Sequence, residues 1–178
     1  MATRAELLDR AIEVLRRGEA LTLDAVARES GLTKPGVVHH FETKDGLTAA
    51  VIDRIVERWD NELRSRLGAA SGTARERLRA YVDFSLTAQF DGGDLAFLAD
   101  LRLREELCRQ WVERLGPWFG ADLDGGLAQH PALQAARLLA DGAWLDQALG
   151  IVAMTDAQKA AVRDVALRLI TDEGEEKQ

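Results

Sequence analysis

The sequence contains one cysteine, Cys108, only three prolines, and few aromatic or β-branched residues. A single cysteine excludes an internal disulfide framework and a metal site built on several thiolates, and it fits a reducing compartment. The chain has no run of about 18 apolar residues, and its N-terminus lacks the apolar segment and cleavage site of a signal peptide. These absences predict a cytoplasmic protein with no disulfide and no membrane-spanning helix.

The residues that are abundant favour helices. Ala, Leu, Arg and Glu dominate, 47% of the chain is hydrophobic and 30% is charged, which is typical of a globular all-α protein with a sizeable core. The net charge of −7 argues against a protein that coats nucleic acid nonspecifically. Residues 1–48, however, carry seven Lys or Arg against eight Asp or Glu, a net charge of −1, so a local DNA-binding surface is compatible with the sequence.

Helical spacing of apolar residues, interrupted by glycine and capping residues, predicts about nine helices and no strand. Thr22 is a suitable N-cap for a short helix over 23–30 that Gly31 ends, and Thr33 can cap a third helix. A longer fourth helix follows Thr43. We predict three parts: a helix-turn-helix domain over 1–48, a larger helical domain over 49–172, and a disordered acidic tail over 173–178.

The first three helices carry the pattern of a helix-turn-helix, two short helices joined by a turn that contains Gly31. In this motif the second helix of the pair enters the major groove of DNA by its N-terminal end. Pro35 suits the first turn of that helix, Gly36 lets the backbone approach DNA closely, and Lys34 adds positive charge. Free first-turn amides and the helix dipole also attract a phosphate. The alternative is a plain capped helix in a helical hairpin.

Residues 8–55 resemble the N-terminal domain of the tetracycline-repressor (TetR) family of bacterial regulators. The resemblance is carried by LTLDAVARESGLTKPGVVHHFETKDGL, with its small-residue turn, a recognition helix that ends in His40 and Phe41, and the spacing F-x-x-K-x-x-L. The family usually has a tyrosine just before the His-Phe pair, whereas this chain has Val38 and His39. The phosphate contact of that tyrosine could pass to His39.

Seven residues are the candidates for DNA contact: Thr22, Thr33, Lys34, Pro35, Gly36, His39 and Lys44. Thr22 could add a backbone contact to its capping role, and Lys44 would either contact a phosphate or stay solvated. The resemblance implies that His40 and Phe41 pack against the motif. The two histidines and Glu42 could instead form a metal site, but adjacent helical residues point about 100° apart, which is unsuitable for one helix face.

The resemblance also implies that the last two long helices pair with their copies in a four-helix bundle. The apolar positions assigned to this dimer interface are Leu138, Leu145, Leu149, Val162, Val165 and Leu169. The core of a monomer would show the same apolar stripes. A dimer is further favoured by the motif itself, since two helix-turn-helix units on a two-fold axis would read an inverted-repeat operator in double-stranded DNA.

A pocket for a small, mostly hydrophobic effector is expected between the middle helices. Its candidate lining consists of Tyr81, Phe84, Phe97, Leu101, Trp111, Trp118 and Trp144. Each of these side chains is individually more typical of a core than of a ligand contact. Asp141 and Gln147 could place polar groups at the edge of the pocket, or simply face solvent.

The sequence therefore predicts a ligand-responsive transcriptional repressor that uses no cofactor or metal. The alternative is a DNA-binding or protein-interaction regulator without a small-molecule effector. An enzyme is not expected, because the chain has no nucleophile with a base at a useful spacing and no glycine-rich phosphate loop. His130 lies in a loop before Pro131.

Overall fold

The structure, a computed structural model, describes residues 2–68, 72–96 and 101–175, with side chains at all of these positions except 94, 101, 102 and 172–175. In these ranges the chain forms eight α-helices and no strand: α1 (Arg4–Arg16), α2 (Leu23–Ser30), α3 (Lys34–Phe41), α4 (Lys44–Leu67), α5 (Ala74–Thr87), α6 (Leu101–Gln110), α7 (Pro131–Leu149) and α8 (Asp156–Glu175). Short 3-10 helices occupy Gly92–Leu95, Gly116–Phe119 and Leu127–Gln129, and a π-helical turn occupies Trp111–Leu115. The predicted all-α fold is confirmed, and the predicted number of helices is approximate.

Capping residues determine where the helices begin. Before α1, the Thr3 hydroxyl accepts a hydrogen bond from the Glu6 N–H, and the Glu6 carboxylate accepts one from the Thr3 N–H. Thr73 and Glu76 make the same reciprocal pair before α5. The hydrogen bonds from the Thr73 N–H and then its hydroxyl hold the pKa of the Glu76 carboxyl below its ordinary value. Local sequence is therefore sufficient to start these helices.

One compact unit spans Met1–Arg58 and Gly92–Gln110. Within it α1 packs on α2 and α2 packs on α3. Val14 of α1, Val26 of α2 and Val37 of α3 are fully buried at these contacts. Arg54 of α4 donates from Nε to Asp9 Oδ1 at 3.1 Å and from Nη2 to Asp9 Oδ2 at 3.3 Å, so a two-point ion pair joins α4 to α1.

The other compact unit spans Trp59–Asp91 and Trp111–Gln178. Here α5, α7 and α8 pack against one another. Ala136 and Ala140 of α7 and Ala166 of α8 have no exposed surface, and such small side chains let helix backbones approach closely. The α5 helix ends at Thr87, because Ala88 is extended and its carbonyl accepts a hydrogen bond from a distant side chain, Gln147 Nε2, at 3.1 Å.

The domain limits differ from the predicted ones. The predicted boundary after residue 48 falls inside the continuous helix α4, and the first unit continues to Arg58 because Val51, Ile52 and Ile55 are buried in it. The tail predicted to be disordered over 173–178 is helical as far as Glu175. Extending a formed helix costs little per residue, which explains the added turn. Residues 176–178 lie outside the described residues.

Candidate nucleic-acid interface

The turn between α2 and α3 has the geometry of a helix-turn-helix. Gly31 ends α2 with a φ of 68°, a left-handed conformation that glycine adopts without strain. The Leu32 N–H then donates to the Ala27 carbonyl at 3.0 Å, which turns the chain sharply. Thr33 follows as the N-cap of α3 and accepts from the Gly36 N–H at 3.4 Å. At the start of α2, the Thr22 hydroxyl caps in the same way and accepts from the Ala25 N–H at 3.0 Å.

The first turn of α3 is open to solvent. Thr33, Lys34 and Pro35 are exposed, and Gly36 is partly exposed. A Cβ atom on Gly36 would lie 3.5 Å from Thr33 Oγ1 and 3.8 Å from Leu32 Cβ, which are ordinary contact distances. The packing of the protein itself therefore does not require glycine at this position. A ligand that approaches the α3 backbone from outside would provide a reason for it.

Lys34 has a partner that the sequence prediction missed. Its Nζ lies 2.9 Å from Asp24 Oδ2, and the two side chains are 55% and 66% exposed. Asp24 belongs to the first turn of α2 and Lys34 to the first turn of α3, so this pair joins the N-termini of both helices. The ten-residue separation has no helical periodicity, and only the packing of α2 on α3 brings the two together.

The two adjacent histidines point in different directions. His39 is exposed, whereas His40 is half-buried and its ring centroid lies 6.2 Å from that of the buried Phe41. Arg4 of α1 lies 5.3 Å from the centre of the Phe41 ring. His39 is thus the histidine that is available to DNA, and His40 lies against the motif. Among the side chains that the structure describes, no cluster of three or more His, Cys, Asp or Glu could hold a metal ion.

The connection from α3 to α4 is strained and closely packed. Glu42 has a φ of 57°, which is unusual for a residue with a side chain, and the Thr43 N–H donates to the Phe41 carbonyl at 2.5 Å. A Cβ atom on Gly46 would lie only 2.5 Å from the same carbonyl oxygen, so Gly46 is required here. This turn fixes the start of α4, where Lys44 is exposed. In the described part of the chain, Lys44 forms no ion pair comparable to that of Lys34.

Aromatic rings form a cluster in the second unit. The Trp59 ring centroid lies 4.9 Å from Phe84, 5.8 Å from Phe90, 4.6 Å from Trp111 and 5.7 Å from Trp144. Phe84, Trp111 and Trp144 belong to the predicted pocket lining. The sequence prediction missed two members of the cluster, Trp59, which fits the apolar register of α4, and Phe90, which follows the observed end of α5 at Thr87. The cluster rings mostly pack edge to face, which suits their quadrupoles.

A buried polar group lies beside this cluster. Tyr81 is 1% exposed, and its hydroxyl donates to Asp141 Oδ1 at 2.5 Å. Burial, and then the Asp141 carboxylate, raise the pKa of the Tyr81 phenol well above its ordinary value. The Ser85 hydroxyl and the Trp144 indole N–H approach the phenol, but among the described atoms neither completes a hydrogen bond of normal geometry. Asp141 also pairs with Arg137 Nη2 at 3.0 Å.

Trp118, another predicted pocket residue, has no ring contact with the cluster among the described residues. Trp118 is 3% exposed and its indole N–H donates to Asp60 Oδ1 at 2.9 Å, as in a core residue. Phe97 and the side chain of Leu101 lie outside the described residues. Gln147 accepts from Lys159 Nζ at 2.5 Å, so it joins α7 to α8. The clefts described in this unit, of about 340, 260 and 220 Å³, are bordered by none of the seven predicted lining residues, although Gln147 borders the smallest of the three.

The predicted dimer positions leave apolar surface uncovered. Leu138 and Leu149 of α7 are 55% and 58% exposed, and Val165 of α8 is 43% exposed. The other three positions, Leu145, Val162 and Leu169, are partly exposed. Ile151 and Val152, in the loop between these helices, are 68% and 59% exposed. Leucine and valine side chains are rarely left in water as one continuous stripe on a monomer.

The chain combines a helix-turn-helix, in which the first turn of α3 is open to solvent, with a larger helical unit that leaves an apolar stripe uncovered. This combination defines the class of DNA-binding transcriptional regulators. Two family profiles agree with this class. The one described as "Bacterial regulatory proteins, tetR family" matches residues 7–51, and the one described as "Tetracyclin repressor-like, C-terminal domain" matches residues 75–171. The chain belongs to the TetR family of bacterial transcriptional regulators.

One relative supports the family assignment, and two solved structures share the fold. The HTH-type transcriptional regulator BetI of Paraburkholderia phytofirmans is 32% identical over 160 residues, which cover 82% of each chain. A putative transcriptional regulator from Pseudomonas aeruginosa PAO1 has a similar fold, with a TM-score of 0.68, 24% identity, and coverage of 98% of this chain and 93% of that one. The multidrug binding protein EbrR, solved with imidazole, has a TM-score of 0.59 and 23% identity, with coverage of 95% and 96%.

Family membership establishes the general activity. Members of this family are DNA-binding regulators of transcription. In the ranges that the structure describes, every helix is too short or too polar to cross a membrane.

Proposed function

We propose that this protein is a homodimeric repressor that binds an inverted-repeat operator and is released from it by a small, mostly hydrophobic effector. The observation that carries the proposal is the open first turn of α3, with exposed Lys34 and a glycine, Gly36, that the protein's own packing does not require. A repressor of bacterial transcription meets its operator on chromosomal DNA, so the proposed site of action is the cytoplasm.

The DNA-contacting surface in this proposal consists of both helix N-termini of the motif, His39 and Lys44. Thr22 and Thr33 cap α2 and α3, and the dipoles of these helices favour phosphates at the capped ends. Lys44 would contact a phosphate from the start of α4. His39, the exposed residue of the histidine pair, would take the contact that other family members give to a tyrosine.

The dimer in this proposal forms through α7 and α8. Ala135, Leu138, Gly142, Leu145 and Leu149 recur on α7 at alternating spacings of three and four residues, which places them on one face. This face is largely exposed in the protomer, and a Cβ atom on Gly142 would meet nothing within 4 Å. A second copy of α7 and α8 would cover the stripe and form a four-helix bundle.

The effector in this proposal binds at the aromatic cluster. Trp59, Trp111 and Trp144 are only partly buried, and the Trp144 N–H and Ser85 O–H could donate to a ligand acceptor. The name of the fold relative EbrR, a multidrug binding protein, is compatible with a pocket of this kind. Effector binding would favour a dimer whose recognition helices no longer match the half-site spacing, so operator affinity would fall.

A second candidate is a regulator that has no small-molecule effector. It is favoured by the ring contacts of Trp59, whose centroid lies within 5.8 Å of four other rings, so that aromatic side chains occupy the space where a ligand would bind. A thermal-shift screen of small hydrophobic compounds separates the two candidates, because a ligand of the folded state raises the melting temperature. Trp144→Phe removes the indole N–H and is the matched variant for any compound that binds.

The DNA-binding proposal is tested by selection of bound sequences from random duplex DNA, with the stoichiometry of the complex measured by analytical ultracentrifugation. An enriched inverted repeat bound by dimers is expected. Lys44→Ala should lower the slope of log affinity against log salt by about one, the value for one phosphate contact. Arg104→Ala, which removes an exposed cation from α6, is the matched control. Salt-sensitive binding without an enriched sequence would refute an operator-specific repressor.

A further inference from the structure

Asp24 and Lys34 form their ion pair at the place where the proposed DNA contact begins. Both residues lie in the first turn of their helices, and the Nζ to Oδ2 distance is 2.9 Å. Each side chain is more than half exposed, so solvent reaches the pair from outside. A phosphate that approaches the N-terminus of α3 would meet an ammonium group that already has an anionic partner.

We infer that Asp24 limits the affinity of this protein for DNA by competing with phosphate for Lys34. The inference rests on the proposed function in one respect, namely that the first turn of α3 faces the DNA backbone. An exposed pair of this type is weak, so a phosphate can displace the carboxylate. After the exchange, however, Asp24 remains beside the phosphate, and their like charges repel.

The exchange has a distinctive dependence on salt. When a lysine neutralises a DNA phosphate, one condensed cation is released, which gives a contribution of about 0.9 to the slope of log affinity against log salt. When Lys34 leaves Asp24, the freed carboxylate stays close to the DNA and retains part of the cation atmosphere there, although a single surface carboxylate does not condense an ion as DNA does. This retention offsets part of the release, so Lys34 contributes less than its full value to the slope while Asp24 is charged. Lys44, which lacks such a partner among the described residues, contributes its full value.

Asp24→Asn is the test, because asparagine keeps the size of the side chain and removes its charge. The probe is a random-sequence duplex of about three helical turns, with affinity measured by fluorescence anisotropy between about 50 and 200 mM salt. We expect the variant to bind about three- to tenfold more tightly at the lowest salt, with a slope steeper by up to about 0.9, the value of one full phosphate contact. Over this fourfold range of salt the advantage should shrink by up to about 3.5-fold.

Glu13→Gln is the matched control for net charge. Glu13 is an exposed residue of α1 whose carboxylate lies 4.0 Å from Arg16, so this variant also loses one negative charge that faces an arginine. It should leave the salt slope unchanged. In a Lys34→Ala background, Asp24→Asn should have a smaller effect, because only the repulsion between Asp24 and the phosphate is left to remove.

Three results would overturn the inference. Weaker binding of Asp24→Asn would mean that Asp24 holds Lys34 in place for DNA. An equal gain in Glu13→Gln would mean that only the net charge matters. If neither Lys34→Ala nor Lys44→Ala changes DNA binding, the proposed DNA surface itself is wrong. Thermal melting of each free variant, expected to be close to that of the original protein, separates these results from a folding defect.

Discussion

Gly36→Ala should make the protein more stable and at the same time a poorer DNA binder. The added Cβ atom would lie at ordinary contact distances, 3.5 Å from Thr33 Oγ1 and 3.8 Å from Leu32 Cβ, so nothing in the folded protein has to move. Alanine is favoured over glycine in helices by about 0.5–1 kcal/mol. Because Gly36 lies in the first turn of α3, we expect the lower value, about 0.5 kcal/mol.

The expected loss of DNA affinity has the opposite sign. The methyl group extends about 1.5 Å from Cα, on a turn whose backbone is proposed to approach a phosphate closely. Holding the helix away from DNA by even part of this distance weakens hydrogen bonds to several amides at once. We expect at least a tenfold loss of operator affinity, which corresponds to about 1.4 kcal/mol.

Two measurements together test whether DNA approaches the α3 backbone closely at Gly36. They are thermal melting of the free protein and fluorescence anisotropy with the selected operator. Gly46→Ala is the comparison, because its Cβ atom would lie 2.5 Å from the Phe41 carbonyl oxygen and should lower both stability and affinity. If Gly36→Ala is more stable and binds the operator as tightly as the original protein, the close approach of DNA to this turn is refuted. If it behaves like Gly46→Ala, the folded protein itself requires glycine at position 36, and the loss of affinity carries no information about DNA contact.

Three further predictions concern the interface, the polar group and a helix cap. Leu138→Asp should convert dimers to folded monomers in sedimentation experiments, while Val112→Asp, at a 72% exposed position outside α7 and α8, should not. Tyr81→Phe should cost about 1–2 kcal/mol in thermal or urea unfolding, because Asp141 loses a buried donor. Because the pKa of the Glu76 carboxyl is lowered in the folded state, this group stabilises the protein above the ordinary glutamate pKa, and the stabilisation is lost as pH falls through the pKa of the folded state. Glu76→Gln should therefore flatten the dependence of the free energy of unfolding on pH in this range.

The DNA-binding motif was predictable because its signals are local. Thr22, Gly31 and Thr33 act on neighbours within five residues along the chain, through caps and a left-handed turn, so sequence spacing alone shows what they do. The seven DNA-contact residues remain a prediction, and the structure adds the reason to test them. It brings Lys34 and Gly36 into one open turn and gives Lys34 a competing partner, Asp24.

The effector site was less predictable because it depends on how distant segments pack. Trp59, Phe90 and Trp144 come from parts of the chain up to 85 residues apart, and no periodicity relates them. Hydrophobic character alone did not separate Trp118, which is a buried core residue, from Trp111 and Trp144, which remain partly exposed. Composition identifies the side chains that could line a pocket, whereas packing decides which of them meet.

The sequence by itself determined that the chain is helical, where most helices begin, and that α2 and α3 form a helix-turn-helix, because caps, turns and helical periodicity act over a few residues. Only the tertiary structure decided which charges pair, which rings touch, and which apolar residues stay uncovered. Those properties depend on the angles and distances between packed helices. The pair of Lys34 with Asp24, and the exposure of the apolar stripe through Leu138 as opposed to its burial in a core, are therefore results of folding that local sequence could not supply.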